Sequence, residues 1–246
     1  MVKISVVIPA MNEEEGIGPT LDAIPRAKIT ERGWDLEVIV VDGESRDRTV
    51  PIAKEKGAIV IVEPRKGYGR AYKTGFARAT GDVIVTGDAD LTYPFEDIVE
   101  YVDMLLRENL DFINGNRFGM LEKGAMSAKH KVGNAILTGT CRVLFFVNVK
   151  DSQSGMWIFR RSILKDIVIT SDGMPMSEEI KIEAFRNPRI KAKEIPIKYK
   201  VRVGEVKLAS WKDGRRNLFF LFRKRFGLLE KPKPEPAGAD PTPSAR

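Results

Sequence analysis

Three features of the first half of the chain predict an α/β fold, with a Rossmann-like, mostly parallel sheet carrying helices on both faces. Five short apolar runs rich in Val and Ile recur along it, helical patterns separate them, and polar residues follow the runs at their carboxyl ends. Consecutive apolar residues suit strands buried on both faces. Alternating strands and helices imply right-handed crossovers, and ligands in that architecture bind outside the carboxyl ends of the strands.

The five runs are Ile4 to Pro9, Leu36 to Val41, Ile59 to Val62, Val83 to Thr86 and Phe112 to Asn114. The first helix is expected to open at Asn12, with Glu15 completing a capping box and Ile17, Leu21 and Ile24 on one side. Pro94 suits a helix's first position, and Ile98, Val99, Val102, Leu105 and Leu106 supply an apolar face behind it. After Arg117 the pattern loosens into a Gly- and Lys-containing loop, followed by a helix through Val132, Ile136 and Leu144. Lys191 to Val201 alternates as a strand does, and Ser210 with Asp213 can open a last capped helix. Three parts are therefore expected: a catalytic domain over 1–209, a basic amphipathic helix over 210–230, and a disordered Pro-rich tail over 231–246.

With 246 residues the chain can bury one large core or two modest ones, and one catalytic domain with a tail is expected. Hydrophobic content of 43% and charged content of 30% exclude global disorder. One cysteine, Cys141, and one histidine, His130, exclude a disulfide framework and a Cys/His zinc cluster. A cytoplasmic address fits, since no stretch approaches the roughly 18 apolar residues that span a bilayer. Net charge of +7 points to an anionic partner. Nucleic acid, a nucleotide or an acidic membrane face would each satisfy it, but no nucleic-acid-binding motif is present.

The chemistry concentrates at the strand ends. DVIVTGDADLTYP (82 to 94) places Asp88 and Asp90 just beyond a strand, where alternate residues point the same way. Two such carboxylates can hold Mg²⁺ or Mn²⁺ together with a substrate's phosphates; read alone, they also suit a turn and a helix cap. VVDGESRDRT (40 to 49) puts Asp42 where a carboxylate can accept from a base or ribose, with Ser45 or Asp47 available as a cap. RKGYGRAYKTGF (65 to 76) interleaves glycines with Arg65, Lys66, Arg70 and Lys73, which suits either a phosphate or a basic surface turn.

Taken in order, these segments resemble the family 2 glycosyltransferases of the GT-A fold, and among them the polyprenol-phosphate sugar synthases typified by the dolichyl-phosphate mannose synthases. The resemblance covers roughly residues 3 to 226. It rests on VVIPAMNEEEGI (6 to 17), VVDGESRDRT, RKGYGRAYKTGF, GDADLTYP (87 to 94), NGNRF (114 to 118), DSQSGMWIFRR (151 to 161) and EIPIKYKVRVGEVKL (194 to 208). It implies a nucleotide-sugar donor, GDP-mannose or a UDP-hexose, a divalent metal, and a polyprenyl phosphate acceptor. It further implies that Pro9, Asn12, Glu13 and Asp42, with Lys66 and Arg70, serve the nucleotide, and that Asp88 and Asp90 hold metal and diphosphate. Arg117, Arg202 and Lys207 become phosphate contacts, while Gln153, Ser154 and Glu178 or Glu179 line the donor-sugar and acceptor pocket. Three positions depart from the family pattern: Gly43 replaces a second Asp, Thr92 replaces a Gln, and Val206 replaces a Ser.

The expected reaction is inverting transfer of a hexose, mannose or glucose, to a lipid phosphate. That acceptor is already anionic, so positioning and charge neutralisation carry the catalysis. Transfer to a soluble or polysaccharide acceptor is the alternative within enzymes, and needs Glu178 or Glu179 as base. A basic nucleic-acid-binding protein is the alternative outside them. The segment Ser210 to Leu229 interleaves phenylalanines with Arg and Lys, as an interfacial helix does, and implies peripheral contact with the anionic cytoplasmic face of a membrane.

Overall fold

In the first strand, β1 (Lys3–Ala10), successive side chains enter opposite faces of a sheet, and both faces are buried. Ile4, Val6 and Ile8 enter one core with Val38 and Val40 of β2 (Asp35–Asp42) and Val83 and Val85 of β4 (Val83–Thr86). Val7, Ile39, Val41 and Ile84 enter the other. This is why the runs are mostly apolar, and why a polar member such as Ser5, itself buried, is bonded to Glu37 of the neighbouring strand; each fully buried Val or Ile contributes roughly 1.5–3 kcal/mol. The computed structural model describes residues 1–204 and 210–229.

The first core is closed by α1 (Glu14–Asp22) through Ile17 and Leu21, and by α5 (Ile98–Arg107) through Ile98, Val99, Val102 and Leu105. The second is closed by α4 (Tyr68–Arg78) through Tyr72 and Phe76, and by α7 (Met176–Arg186) through Met176, Ile180 and Ala184. Helices thus cover both faces, as expected. With β3 (Ile59–Val62), β5 (Phe112–Leu121), β6 (Trp157–Arg160) and β7 (Ala192–Tyr199), the strand order is β3-β2-β1-β4-β6-β5-β7. All neighbours pair in parallel except at β6, which is antiparallel to β4 and β5. The order reverses at β1, whose neighbours are β2 and β4. A crevice at the carboxyl ends of these three strands follows.

All five expected runs are strands, and Lys191 to Val201 contains β7. β6 was not among the expected strands: it lies past the alternating strands and helices of the first half and runs antiparallel to β4 and β5. The loop expected after Arg117 begins later, over 122–127, because β5 continues to Leu121 past an irregularity between Asn116 and Met120. An irregular ladder re-aims side chains, and Arg117 sits within it.

The capping box is absent. Asn12 has a left-handed backbone (φ 53°), its Oδ1 accepts from Arg46 N–H at 2.8 Å, and α1 begins at Glu14 without a side-chain cap. The short polar side chain of Asn tolerates that conformation and ties two strand-end loops together. Pro94 likewise precedes a 3₁₀ turn (Phe95–Asp97) that leads into α5, rather than opening an α-helix. Asp47 does not cap the next helix, α3 (Thr49–Glu55); it accepts from Thr49 and from Glu14 N–H.

The helix expected through Leu144 is α6 (Ala128–Phe145), although Val132 and Ile136 are exposed on it. α6 and α7 receive the last described helix, α8 (Ser210–Arg225), in a third cluster formed by Cys141, Phe145, Val147, Val149, Ile182 and Leu221. Lys207, Val206 and the Pro-rich tail lie outside the described residues. Among those described, no helix is long and apolar enough to cross a membrane.

Candidate active site

Asp88 and Asp90 follow β4 directly, and the loop bearing them is pinned from two sides. α1 presses on it so closely that a methyl at Gly16 would lie 2.5 Å from the Ala89 carbonyl. Across it runs the segment after β7, whose Lys200 and Val203 N–H groups donate to the Thr92 and Asp90 carbonyls at 3.0 Å. Asp90 is buried; its Oδ1 accepts from Thr92 N–H and from the Thr92 hydroxyl at 2.6 Å. The Tyr68 hydroxyl donates to Asp88 Oδ1 at 3.2 Å.

Arg202 is placed by that crossing segment. Its Nη1 lies 3.1 Å from Asp90 Oδ2 and its Nη2 2.8 Å from Glu13 Oε1. One guanidinium is therefore shared by two carboxylates beside a third, Asp88. Burial, and then the charge of Asp90, push the Asp88 carboxyl up to about 7. A carboxylate held at that cost is one whose countercharge has yet to be supplied, so the pair fits a divalent cation. Among the described residues no group of three or more His, Cys, Asp or Glu forms a cage. A divalent cation held by Asp88 and Asp90 would have to draw its remaining oxygens from substrate or solvent.

Arg117 is engaged differently from Arg202. It forms a fork on Asp151, with Nε to Oδ2 and Nη2 to Oδ1 both at 2.8 Å, and its own N–H donates to Oδ2 at 3.0 Å. It also stacks 5.3 Å from the centre of the Tyr199 ring. Both partners are buried. Burial pushes the Asp151 carboxyl up, but Arg117 outweighs it and holds the group below its ordinary range.

On the other side of the crevice, Pro9 lies half-buried one residue before the end of β1, and Glu13 N–H donates to Thr49 Oγ1 at 2.7 Å. Asp42 at the end of β2 is buried, and both its oxygens accept from Ser45, through N–H at 2.9 Å and the hydroxyl at 2.5 Å. Glu63, the residue after β3, donates its N–H to the Asp42 carbonyl and binds the Arg65 side chain and Thr74; Arg65 above all holds its carboxyl at about 2. Lys66 is exposed, and Arg70 pairs with Asp172 at 2.9 Å. The glycines of this stretch serve protein packing. At Gly67 (φ 140°) and Gly69 a side chain would collide with the Asp172 and Ser171 carbonyls, so they admit the 171–173 loop to the start of α4.

The stretch 152–155 closes the site next to Asp88. A methyl at Gly155 would stand 3.4 Å from Asp88 Oδ1 and 2.5 Å from the Tyr68 hydroxyl. Lys181, fully buried, donates to the carbonyls of Ser152 at 2.7 Å and Ser154 at 2.6 Å and fixes this turn. Burial draws Lys181 down to about 7. Ser154 is buried, with its hydroxyl turned to Met156 N–H. Gln153, half-buried, donates to Glu178 Oε1 at 2.5 Å. Burial pushes Glu178 up to about 8, so it is mostly protonated at neutral pH.

The two adjacent glutamates thus part company. Glu178 belongs to the Gln153 turn, whereas Glu179 accepts from Thr170, Ser171 and Lys224 and fastens α8 and the 170–171 loop to α7. Sequence reasoning overlooked Lys181, Asp151, Tyr68 and Asn217. DSQSG contains Asp151 in plain view, but a motif does not say which arginine it answers. Lys181 looked like one of many surface lysines.

A model of the glycosyl transferase family 2 matches residues 5–168, which span the crevice strands, Asp88, Asp90, Arg117 and the 152–155 turn. The chain belongs to that family. Among curated relatives, the low-salt glycan biosynthesis hexosyltransferase Agl6 of Haloferax volcanii is 39% identical over 92% of this chain and 54% of its own length. The dolichyl-phosphate hexose transferase of the same organism is 36% identical over 86% of this chain and 89% of its own. The dolichol-phosphate mannosyltransferase of Pyrococcus furiosus is 30% identical over 93% of this chain and 64% of its own. The chain therefore spans about half the length of Agl6 and somewhat under two thirds of the Pyrococcus protein. Glucosyl-3-phosphoglycerate synthase from Mycobacterium tuberculosis, crystallised with Mn²⁺, UDP and glucosyl-3-phosphoglycerate, superposes with a TM-score of 0.69 at 23% identity, over 93% of this chain and 81% of its own. That likeness establishes the GT-A architecture for this chain.

Proposed function

We propose that this protein transfers a hexose from a nucleotide diphosphate sugar, GDP-mannose or a UDP-hexose, to a polyprenyl phosphate, inverting the anomeric carbon. The observation that carries the reading is the strand-end pair Asp88 and Asp90, short of countercharge and faced by Arg202, in a family 2 chain whose relatives include a dolichyl-phosphate hexose transferase. Mg²⁺ or Mn²⁺ on the pair would supply charge neutralisation for a departing diphosphate. Arg202 is positioned to join it by exchanging a carboxylate for a phosphate oxygen, and Lys207 is assigned the same task. Pro9, Asn12, Glu13 and Asp42, with Lys66 and Arg70, are assigned to the nucleotide.

The choice of a phosphate acceptor is supported by the carboxylates. Glu179 is consumed by structural contacts, and Glu178 is fully buried with its Oε1 held by Gln153, so neither is presented toward an acceptor hydroxyl as a base. A lipid phosphate needs no such base. Access to it is assigned to α8, whose Leu221 is buried on α6 and α7 while Phe219, Phe222 and Phe226 stay exposed among Arg215, Arg216, Arg223 and Arg225. A half-exposed apolar and basic helix suits peripheral docking on the anionic cytoplasmic face of a membrane.

The test is direct. Purified protein, Mn²⁺, a short polyprenyl phosphate and radiolabelled GDP-mannose or UDP-glucose should give label that extracts into organic solvent with one of the two donors. Label released only as free sugar, or transferred only to soluble acceptors, would reject the lipid-phosphate reading.

A further inference from the structure

Both carboxylate oxygens of Asp90 are engaged within the protein. Oδ1 accepts from the Thr92 N–H at 3.2 Å and from the Thr92 hydroxyl at 2.6 Å, and Oδ2 lies 3.1 Å from Arg202 Nη1. The second arm of that guanidinium, Nη2, lies 2.8 Å from Glu13 Oε1. Arg202 therefore places its charge on one of the two aspartates that would hold a divalent cation. Like charges at short range repel, so the guanidinium and such a cation compete for Asp90.

The arginine is also built to let go. Asp90 is buried, whereas the Arg202 side chain is 23% exposed and belongs to the irregular segment after β7. Main-chain bonds from Lys200 and Val203 hold that segment to the Asp90 loop on either side, so the side chain can turn while its backbone stays. Arg202 Nε is buried and has no hydrogen-bond partner among the described residues. Buried donors are nearly always paired, and a phosphate group accepts from two guanidinium nitrogens together. A diphosphate would use the donor that the two carboxylates leave idle. We propose that Arg202 competes with the divalent cation for Asp90 and gives way when a nucleoside diphosphate takes its guanidinium, so that cation and diphosphate bind with positive coupling and the cation alone binds weakly. This rests on the reading of Asp88 and Asp90 as metal ligands given above and goes beyond a phosphate contact. An arginine that served the diphosphate alone would leave the cation's own affinity untouched.

Mn²⁺ binding to the full chain can be followed through the electron paramagnetic resonance of the free ion, without any turnover. With no nucleotide added, Arg202→Met should bind Mn²⁺ about tenfold more tightly than wild type, within the range typical of coupled sites. Saturating GDP or UDP should tighten Mn²⁺ binding to wild type, with nucleotide lacking protein as the blank, and this enhancement should shrink in Arg202→Met by the same factor, because coupling is reciprocal. Lys198→Met removes an exposed charge at the end of β7, paired with Asp97 at 3.2 Å, and should leave Mn²⁺ affinity within about twofold of wild type because that charge is screened. Arg202→Gln provides a second route should Arg202→Met fail to fold, with the same expectation. Mn²⁺ affinity no higher than wild type's in Arg202→Met or, where that variant does not fold, in Arg202→Gln overturns the proposal. An equal gain in Lys198→Met also overturns it, since the effect would then be one of net charge. A wild-type protein that binds Mn²⁺ neither alone nor with GDP or UDP would instead reject the metal site itself, and this proposal with it.

Discussion

Asp151→Asn should destabilise this protein by about 3–5 kcal/mol, the cost of leaving a buried charge without its partner. Asp151 is fully buried and accepts two bonds from the Arg117 guanidinium at 2.8 Å and one from its N–H at 3.0 Å. Asparagine keeps the volume but removes the countercharge and can satisfy only part of the fork, so Arg117 is stranded at 7% exposure. Domains of this kind are stable by about 5–15 kcal/mol, so the loss is large. Urea unfolding followed by circular dichroism measures it, with the midpoint falling while the slope holds. Lys193→Ala, which breaks a pair 42% and 34% exposed, should cost at most about 1 kcal/mol. Arg117→Met combined with Asp151→Asn should recover much of the loss, because the stranded charge is gone. The pH dependence has a definite sign. Asp151 is held below its ordinary 3.8, so its contribution is complete above that value and is lost as pH falls below it. If Asp151→Asn unfolds within 1 kcal/mol of wild type, Arg117 is free to serve a substrate and the account of this pair is wrong.

Asp90→Ala should abolish transfer while the circular dichroism spectrum stays unchanged, and EDTA should stop the wild-type reaction until Mn²⁺ or Mg²⁺ is restored; activity within a few-fold of wild type in either experiment refutes the metal site. Arg202→Ala should lower kcat more than it raises KM for the donor, as expected of a group acting on developing diphosphate charge. Equal changes would mark simple ground-state binding. Glu178→Gln should raise the melting temperature more at pH 8 than at pH 5. The carboxyl is pushed from 4.5 to about 8, so the folded state holds a proton that the unfolded state releases, and this group's contribution declines as pH rises through that window. A shift independent of pH would show that Glu178 is ionised throughout. Binding to anionic liposomes should weaken with salt and disappear when residues 210 to 246 are deleted; sedimentation of the truncated protein as strong as the intact chain's would remove α8 from membrane docking.

The strands were legible because burial on both faces leaves a clear mark: Val6, Val7 and Ile8 feed two different cores, so the run is apolar at successive positions and its one polar member, Ser5, is buried on Glu37. The capping box at Asn12 misled because a short polar residue before a helix has two uses, and here its side chain binds the Arg46 N–H across the crevice. The aspartate pair stood out by its place after a strand, but its spacing alone suits a turn and a helix cap as well, and only the neighbouring segments favoured a metal site. What spacing could not say is how the surrounding charge is divided. Arg202 and Arg117 read alike in sequence, but the first bridges Glu13 and Asp90 at the edge of the crevice while the second is locked in a buried fork on Asp151. The same limit applies to Glu178 and Glu179. Neighbours on a helix point about 100° apart, so one reaches Gln153 in the site and the other reaches Lys224 on α8, and only the packing of α7 decides which. Function in this chain is therefore assigned less by the identity of a carboxylate or guanidinium than by whether its partner is already inside the protein. Asp88, which burial and then the charge of Asp90 push up to about 7, is a group that gains from an incoming cation.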